Sequence, residues 1–427
     1  MKKQVFVIGI DEFNFEMLHS FDKYKQYDYH SILDISELQH QEKYPMDDLM
    51  GKAVSAVDSF DIAPDAIVGF WNFPVTCITP LLARKYNLPH LPVDALIKCE
   101  HKYFGRKEQR KYIPDNIPDF NLINPNGKNP FDDVDIDFPF WLKPVVSFAS
   151  QLCFKVHNRK EFDKYLSIIK ENIHRFADPI NYVLKQTELP DFMKDIDGYY
   201  CIAEETIQGK QCTIEGQVHN GKIGYTGVFD SLRHPDHETF YSYEYPSVLD
   251  KRVIDEMKQI SSSLLTGIGY DNSCFNIEFF YDDESDHLWL LEINPRISQS
   301  HSDPFLKVDG APNHKPMVEV ALGEEPALPS GEGDFNVAAK FYYRAFDDGI
   351  ITNVPDMYDL DNIRKIIPDM KIKIWVDEGT RLSEMYDQDS YSYKLASVYL
   401  GAKNKEELYE KRDRCFDLLN FKIDSIH

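Results

Sequence analysis

The chain has 427 residues, 43% apolar and 13% aromatic, and a net charge of −24. That length exceeds one ordinary core and that composition supports two or three packed domains, which excludes wholesale disorder. The charge repels a phosphate backbone or an anionic membrane surface, so neither nucleic acid nor membrane is an expected partner, and any local cluster of positive charge becomes informative.

Lys2 and Lys3 precede an apolar run, Val5 to Ile10, which Asp11 and Glu12 cut short of a signal-peptide core. No apolar run approaches the ~20 residues of a membrane span. Gln4 to Ile10 reads as a buried strand and Asp65 to Phe70 as another, followed by a helical pattern through Leu81, Leu82 and Tyr86. Strands alternating with helices predict a parallel α/β sheet over residues 1–95. No GxGxxG follows the first strand, so a dinucleotide site is not supported there. Ile97 to Tyr112 reads as one basic helix, with Lys98, Lys102, Arg106 and Arg110 on a single stripe. Past an acidic spacer, strands are expected at Phe140 to Val145, Gln151 to Val156, Tyr200 to Glu205 and Cys212 to Val218, then a helix from Asp250 to Leu265. Two further strands, Cys274 to Tyr281 and Leu288 to Asn294, flank the polar turn centred on Ser285. Gly331-Glu332-Gly333 marks a boundary; beyond it Val337 to Arg344 and Met370 to Val376 read as strands and Lys405 to Leu418 as a helix. The seven cysteines are scattered without a CxxC pair, which predicts core thiols in a reducing, cytoplasmic setting rather than disulfides or structural zinc.

The hairpin around Ser285 is the sharpest constellation. Residues equidistant from Ser285 lie opposite one another, so Glu278 faces Glu292 and Asn276 faces Asn294, all four on one face. Phe275, Ile277, Phe279, Trp289, Leu291 and Ile293 are expected on the core face. Two facing carboxylates repel, and a hard cation with oxygen ligands offsets that. Asn294 adds a neutral oxygen, and Arg296 supplies a bidentate fork for a phosphoryl oxygen or a carboxylate. A solvated acidic face would account for the same carboxylates, but their pairing and the Asn-Pro-Arg sequence favour metal.

Glu278 together with Leu291-Glu292-Ile293-Asn294-Pro295-Arg296 resembles the metal-binding signature of the ATP-grasp superfamily, and the likeness extends over most of the chain, nearest to its biotin-carboxylase and L-amino-acid-ligase branch. The resemblance implies an α/β chain in three parts: an N-terminal parallel α/β domain (1–95), a two-lobed ATP-grasp domain (96–330) and a small C-terminal α+β domain (331–427). It implies ATP and Mg²⁺ as cofactors, with Mn²⁺ as the alternative metal held by Glu278, Glu292 and Asn294. Phe138 to Pro144 is similar to the strand whose lysine, Lys143, reaches the phosphates, and Lys102 matches the second phosphate lysine. Ala203 to Gly209 is similar to the adenine hinge, with Glu204 accepting from the adenine amino group and the backbone of Glu205 and Ile207 meeting the ring edge. Ser150 ends a glycine-free stretch, Val145 to Ser150, at the phosphate-covering loop; Gln211 stands where a ribose-binding glutamate is usual; Glu215 matches an acidic residue that lines the site. Ile297 to His301 replaces a glycine-rich run beside the acceptor site. Asp389-Ser390-Tyr391 and Leu395 to Leu419 loosely resemble the C-terminal domain of the biotin-carboxylase branch.

The activity this implies is a carboxylate–amine ligation: ATP phosphorylates a carboxylate, Arg296 and Lys143 act on the transferring group, and an amine completes an amide. Arg233 and His301 are candidates for substrate contact. The expected partners are amino-acid-like small molecules, and a homodimer is compatible with the sequence. A bicarbonate-activating carboxylase and a non-catalytic nucleotide-binding protein are the competing readings. The second predicts damage among Lys143, Glu278, Glu292, Asn294 and Arg296, and all five are present.

Overall fold

The computed structural model describes residues 2–22, 26–39, 41–148, 151–235, 239–385, 388 and 392–425. Its first strands are β1 (Lys3–Ile8), β2 (Tyr27–Ile32) and β3 (Ala66–Val68). They pair in parallel in the order β2-β1-β3, as the alternation of strand and helix predicts. β1 is buried from Val5 to Ile8, because a parallel strand is covered on both faces. The half-polar β2 lacks that run and had no signal in the sequence.

Four strands form a small antiparallel sheet in the order β4-β7-β5-β6: β4 (Phe120–Ile123), β5 (Phe140–Pro144), β6 (Phe154–Val156) and β7 (Cys201–Glu205). The helices Arg159–Asn172 and His174–Leu184 cover its core. The rest of the chain adds β8 (Lys210–His219), β9 (Lys222–Arg233), β10 (Phe240–Tyr245), β11 (Ser273–Asp282), β12 (His287–Asn294), β13 (Val337–Ala345), β14 (Gly349–Asn353), β15 (Lys371–Ile374), β16 (Tyr393–Ala402) and β17 (Lys422–Ser425). Eight of them make one antiparallel sheet, β12-β11-β8-β9-β10-β13-β16-β15, while β14 pairs with β17. The C-terminal strands therefore continue the central sheet and can share one surface with the carboxylate hairpin.

The basic helix expected from Ile97 to Tyr112 is two helices, Val93–Glu100 and Lys102–Tyr112. His101 breaks the run: its ring accepts from the Phe104 amide and caps the second helix. The single basic stripe is thereby divided among four destinations. Lys98 pairs with Asp94, Lys102 reaches a loop carbonyl, Arg106 is buried, and Arg110 stacks on Phe120.

Gly209 joins the two sheets at φ +125°, and a Cβ there would lie 2.5 Å from the Tyr281 carbonyl carbon. Only glycine fits that backbone and that approach. Gly209→Ala should lower stability by about 1–3 kcal/mol, read as the shift of the urea midpoint.

Candidate active site

A cavity of about 650 Å³ opens between the small sheet, the large sheet and the loop after β3. That volume falls in the range of small-molecule sites. Lys102, Lys143, Gln211, Arg233, Glu278, Glu292, Asn294, Arg296 and His301 all line it. Glu204, Glu205 and Ile207 lie outside its lining; Glu205 is exposed and Ile207 half-buried on the segment after β7. Ser150 and the Asp389-Ser390-Tyr391 stretch lie outside the described residues.

The hairpin register holds where it matters. Asn276 pairs with Asn294 and Glu278 with Glu292. A β-bulge then leaves Leu291 unpaired and shifts the remaining pairs by one residue. This corrects the expected core face of β12: Leu288 and Leu290 are buried in place of Trp289 and Leu291. The slip follows from the period of two, since one extra residue exchanges the faces of everything beyond it. Leu291 lines the cavity instead.

Burial, and next the facing Glu292, push the Glu278 carboxyl up to about 7. Its oxygens accept from Gln211 at 2.7 Å and Asn294 at 3.1 Å. The Asn294 oxygen in turn accepts from Arg296 at 3.1 Å. Among the described residues no group of three His, Cys, Asp or Glu side chains forms a metal cage. The donor set is two crowded carboxylates and an amide oxygen. That set fits Mg²⁺, which commonly takes one or two protein carboxylates and fills its octahedron with phosphate oxygens and water.

Arg296 is anchored by a residue far away in the sequence. Its Nε donates to the side-chain oxygen of Asn72, 2.7 Å away, in the loop after β3. Trp71 and Phe73 from the same loop also line the cavity. Lys102 donates to the Ser147 carbonyl at 2.9 Å, so it meets the glycine-free loop at its backbone. Gln211 is buried between Arg233, which donates to its oxygen at 2.7 Å, and Glu278. Arg233 also stacks on Phe240 and belongs to the cavity wall, not to an open surface.

Two expected contacts are placed differently, while His301 keeps its place in the cavity lining. Glu204 is buried, and both its oxygens already accept from cations, Arg106 and Lys143, each at 2.6 Å. Burial alone would raise its carboxyl, but the two cations hold it well below the usual carboxylate range. Its carboxylate is committed to Lys143 and Arg106 instead of standing free for an amino group. Glu215 is a hub below the surface: it accepts from Asn276, Ser298 and Asn313 and bonds His301. His301 stacks on Phe229 with ring centroids 3.7 Å apart, and burial pushes its imidazole down, which fixes it as a packed wall of the cavity.

Arg106 is the functional residue that the sequence did not single out. Besides Glu204 and Gln109, it donates to the Leu290 and Leu291 carbonyls at 3.1 and 2.8 Å. It thus clamps the bulge of β12 to the small sheet. The available signal was its place on the basic stripe, one turn after Lys102.

Residues 136–302 match the family model of the ATP-grasp domain. This segment is an ATP-grasp domain. The chain is 26% identical over 198 residues to the N-terminal section of the carbamoyl phosphate synthase large chain of Aquifex aeolicus, a match covering 44% of this chain and 30% of that protein. It spans less than a third of the curated relatives it matches. The fold superposes on an L-amino acid ligase from Bacillus licheniformis with TM-score 0.71 at 13% identity, covering 100% of this chain and 99% of that one. A biotin carboxylase–β,γ-ATP complex from Campylobacter jejuni gives 0.66 at 15% identity, over 100% and 93%. The ATP-grasp domain brings Lys143 and the carboxylate hairpin to one cavity, while Lys102 and Asn72 come from outside the matched segment. Among the described residues no helix is long and apolar enough to cross a membrane.

Arg106→Ala leaves Glu204 paired with Lys143 but strips one Glu204 oxygen, Gln109 and the Leu290 and Leu291 carbonyls of their donor. A buried acceptor left without a donor costs about 1–3 kcal/mol, so the variant should lower stability by at least that amount in urea unfolding. Arg106→Lys should recover only part of the loss, because an ammonium lacks the fork that reaches Glu204 and both carbonyls.

Proposed function

We propose that the chain is an ATP-dependent ligase that joins a carboxylate to an amine through an acyl phosphate. The observation that carries this reading is the convergence of Glu278, Glu292, Asn294, Arg296, Lys102 and Lys143 on one cavity. Phosphoryl transfer asks for positioning and charge stabilisation more than covalent chemistry, and these side chains offer both. Glu278, Glu292 and Asn294 would hold Mg²⁺, or Mn²⁺, which when bound neutralises charge between nucleotide phosphates. Lys102 and Lys143 stabilise the negative charge that shifts onto the leaving ADP. A substrate carboxylate oxygen attacks the γ-phosphorus and the bond to ADP breaks. Arg296 holds the resulting acyl phosphate. An amine lone pair then attacks the acyl carbon, the carbon–oxygen bond to phosphate breaks, and the amine releases a proton. Glu204 acts through Lys143, which it keeps charged: burial opposes the ammonium, but the carboxylate wins and raises it. The adenine contacts expected of Glu205 and Ile207 are backbone contacts; the Glu205 amide already donates to the Asp119 carbonyl at 2.9 Å, so in this reading Glu205 would act through its carbonyl. The substrates are small and amino-acid-like in this reading.

Phosphate release from Mg·ATP should depend on a carboxylic acid and an amine supplied together. Release that needs only bicarbonate would replace the ligase with carboxylation, and ATP binding without turnover on a broad panel would leave a nucleotide-binding protein. Glu292→Gln should cut turnover by on the order of 10²–10³. It should leave the metal-free fold within ~1 kcal/mol of wild type or more stable, because it removes the repulsion with Glu278. Thermal unfolding in EDTA, run beside the turnover assay, separates the two effects.

A further inference from the structure

The cavity continues past Arg296 to a wall built from the C-terminal strands. Lys340 of β13, Lys373 of β15 and Lys394 of β16 line it. In a chain of net charge −24 this is a local reversal of sign. Aromatic faces carry the cations: Lys373 and Lys394 lie 4.4 and 3.8 Å from the Trp375 ring centroid, and Lys340 and Arg344 lie 4.5 and 4.6 Å from that of Tyr342.

Lys340 is the unusual member. It is only 5% exposed. Its ammonium donates to the Ser300 hydroxyl at 2.8 Å and the Tyr342 hydroxyl at 3.2 Å, with no carboxylate partner among the described residues. Lys373 differs in that it pairs with Asp11 at 2.6 Å. A buried cation without a counter-ion is costly, and such groups gather where a ligand completes them. Burial, and next the charges of Lys394, Lys373 and Arg344, push the Lys340 ammonium well below its usual value, a strain that an arriving anion would relieve. Ser300 lies four residues beyond Arg296, at the mouth of the helix Gln299–Asp309, so Lys340 sits on the side where substrate meets the phosphoryl group.

We propose that Lys340, with the hydroxyls of Ser300 and Tyr342, binds a second carboxylate of the substrates, one that is not itself activated. The proposal rests on the ligase reading for the meaning of "second", but the anion site stands on its own geometry. The surrounding Trp375, Tyr342 and Tyr399 rings supply an apolar bed for the carbon chain that bears the group. The carboxylate comes either from a dicarboxylic donor or from an amino acid that serves as the amine; both present the same chemistry to Lys340.

Thermal shift on the full chain tests the site without turnover. Succinate, glutarate and L-glutamate should stabilise the wild type, whereas n-butylamine should not. Lys340→Met and Lys340→Gln should lose that stabilisation while keeping the stabilisation by Mg·ATP, which shows that both variants are folded. Equal stabilisation of wild type and variants, or none of the wild type by any of these carboxylates, overturns the proposal. Phosphate-release kinetics then distinguish the sources. If the donor carries the group, Lys340→Met should raise the KM for glutarate at least about tenfold but leave that for butyrate unchanged; if the amine carries it, the KM should rise for L-alanine and not for ethylamine. No release with any acid and amine would sink the ligase reading while the carboxylate-dependent shift remained.

Discussion

The site depends on a buried cluster in which Arg106 and Lys143 share the carboxylate of Glu204. Glu204 lies on the small sheet, Lys143 on the neighbouring strand, and Arg106 on the helix that also holds the carbonyls of the β12 bulge. One guanidinium therefore fixes the distance between the strand that bears Lys143 and the carboxylate hairpin. Removing Glu204 would leave two cations buried without their carboxylate, and removing either cation would leave one Glu204 oxygen without its donor, so the cluster specifies a single arrangement of the two sheets. The bulge belongs to the same device. It leaves Leu291 unpaired, and on the edge strand β12 the Leu290 and Leu291 carbonyls both accept from Arg106, while the register that sets Glu278 against Glu292 survives on the other side.

Charge in the cavity is arranged as unfinished pairs. Glu278 and Glu292 crowd each other and call for a cation; Lys102, Arg296 and Lys340 line the same space and call for anions. A metal–nucleotide complex with an anionic substrate satisfies both demands at once. The acidic chain gives this contrast its force: the cavity lining holds seven Lys and Arg side chains against four Asp and Glu, where the whole sequence holds 47 against 71.

The loop after β3 completes the site from the N-terminal part of the chain. Asn72 anchors Arg296, and Trp71 and Phe73 close one wall. β13, β15 and β16 close another because they extend the central sheet, apart from the separate β14–β17 pair. Three stretches far apart in the chain thus build one cavity.

The sequence by itself determined what is local. The run from Val5 to Ile8 made a parallel strand, and the alternation around Ser285 set Glu278 opposite Glu292. The order of Lys143, Glu204 and the Asn-Pro-Arg turn pointed to nucleotide chemistry. The first two follow from strand period, burial and short-range spacing, which are written residue by residue; the third rests on the resemblance to the ATP-grasp family. Only the tertiary structure decided where long side chains ended. Lys102 and Arg106 share a helix and a charge, yet one reaches a loop carbonyl and the other a buried carboxylate nearly a hundred positions away in sequence. Glu204 and Glu215 read as site-facing acids, yet the donors brought to them by distant strands made one a clamp and the other a hub. Periodicity says which face a side chain leaves by; the partner it meets is fixed by long-range packing, which no local pattern records.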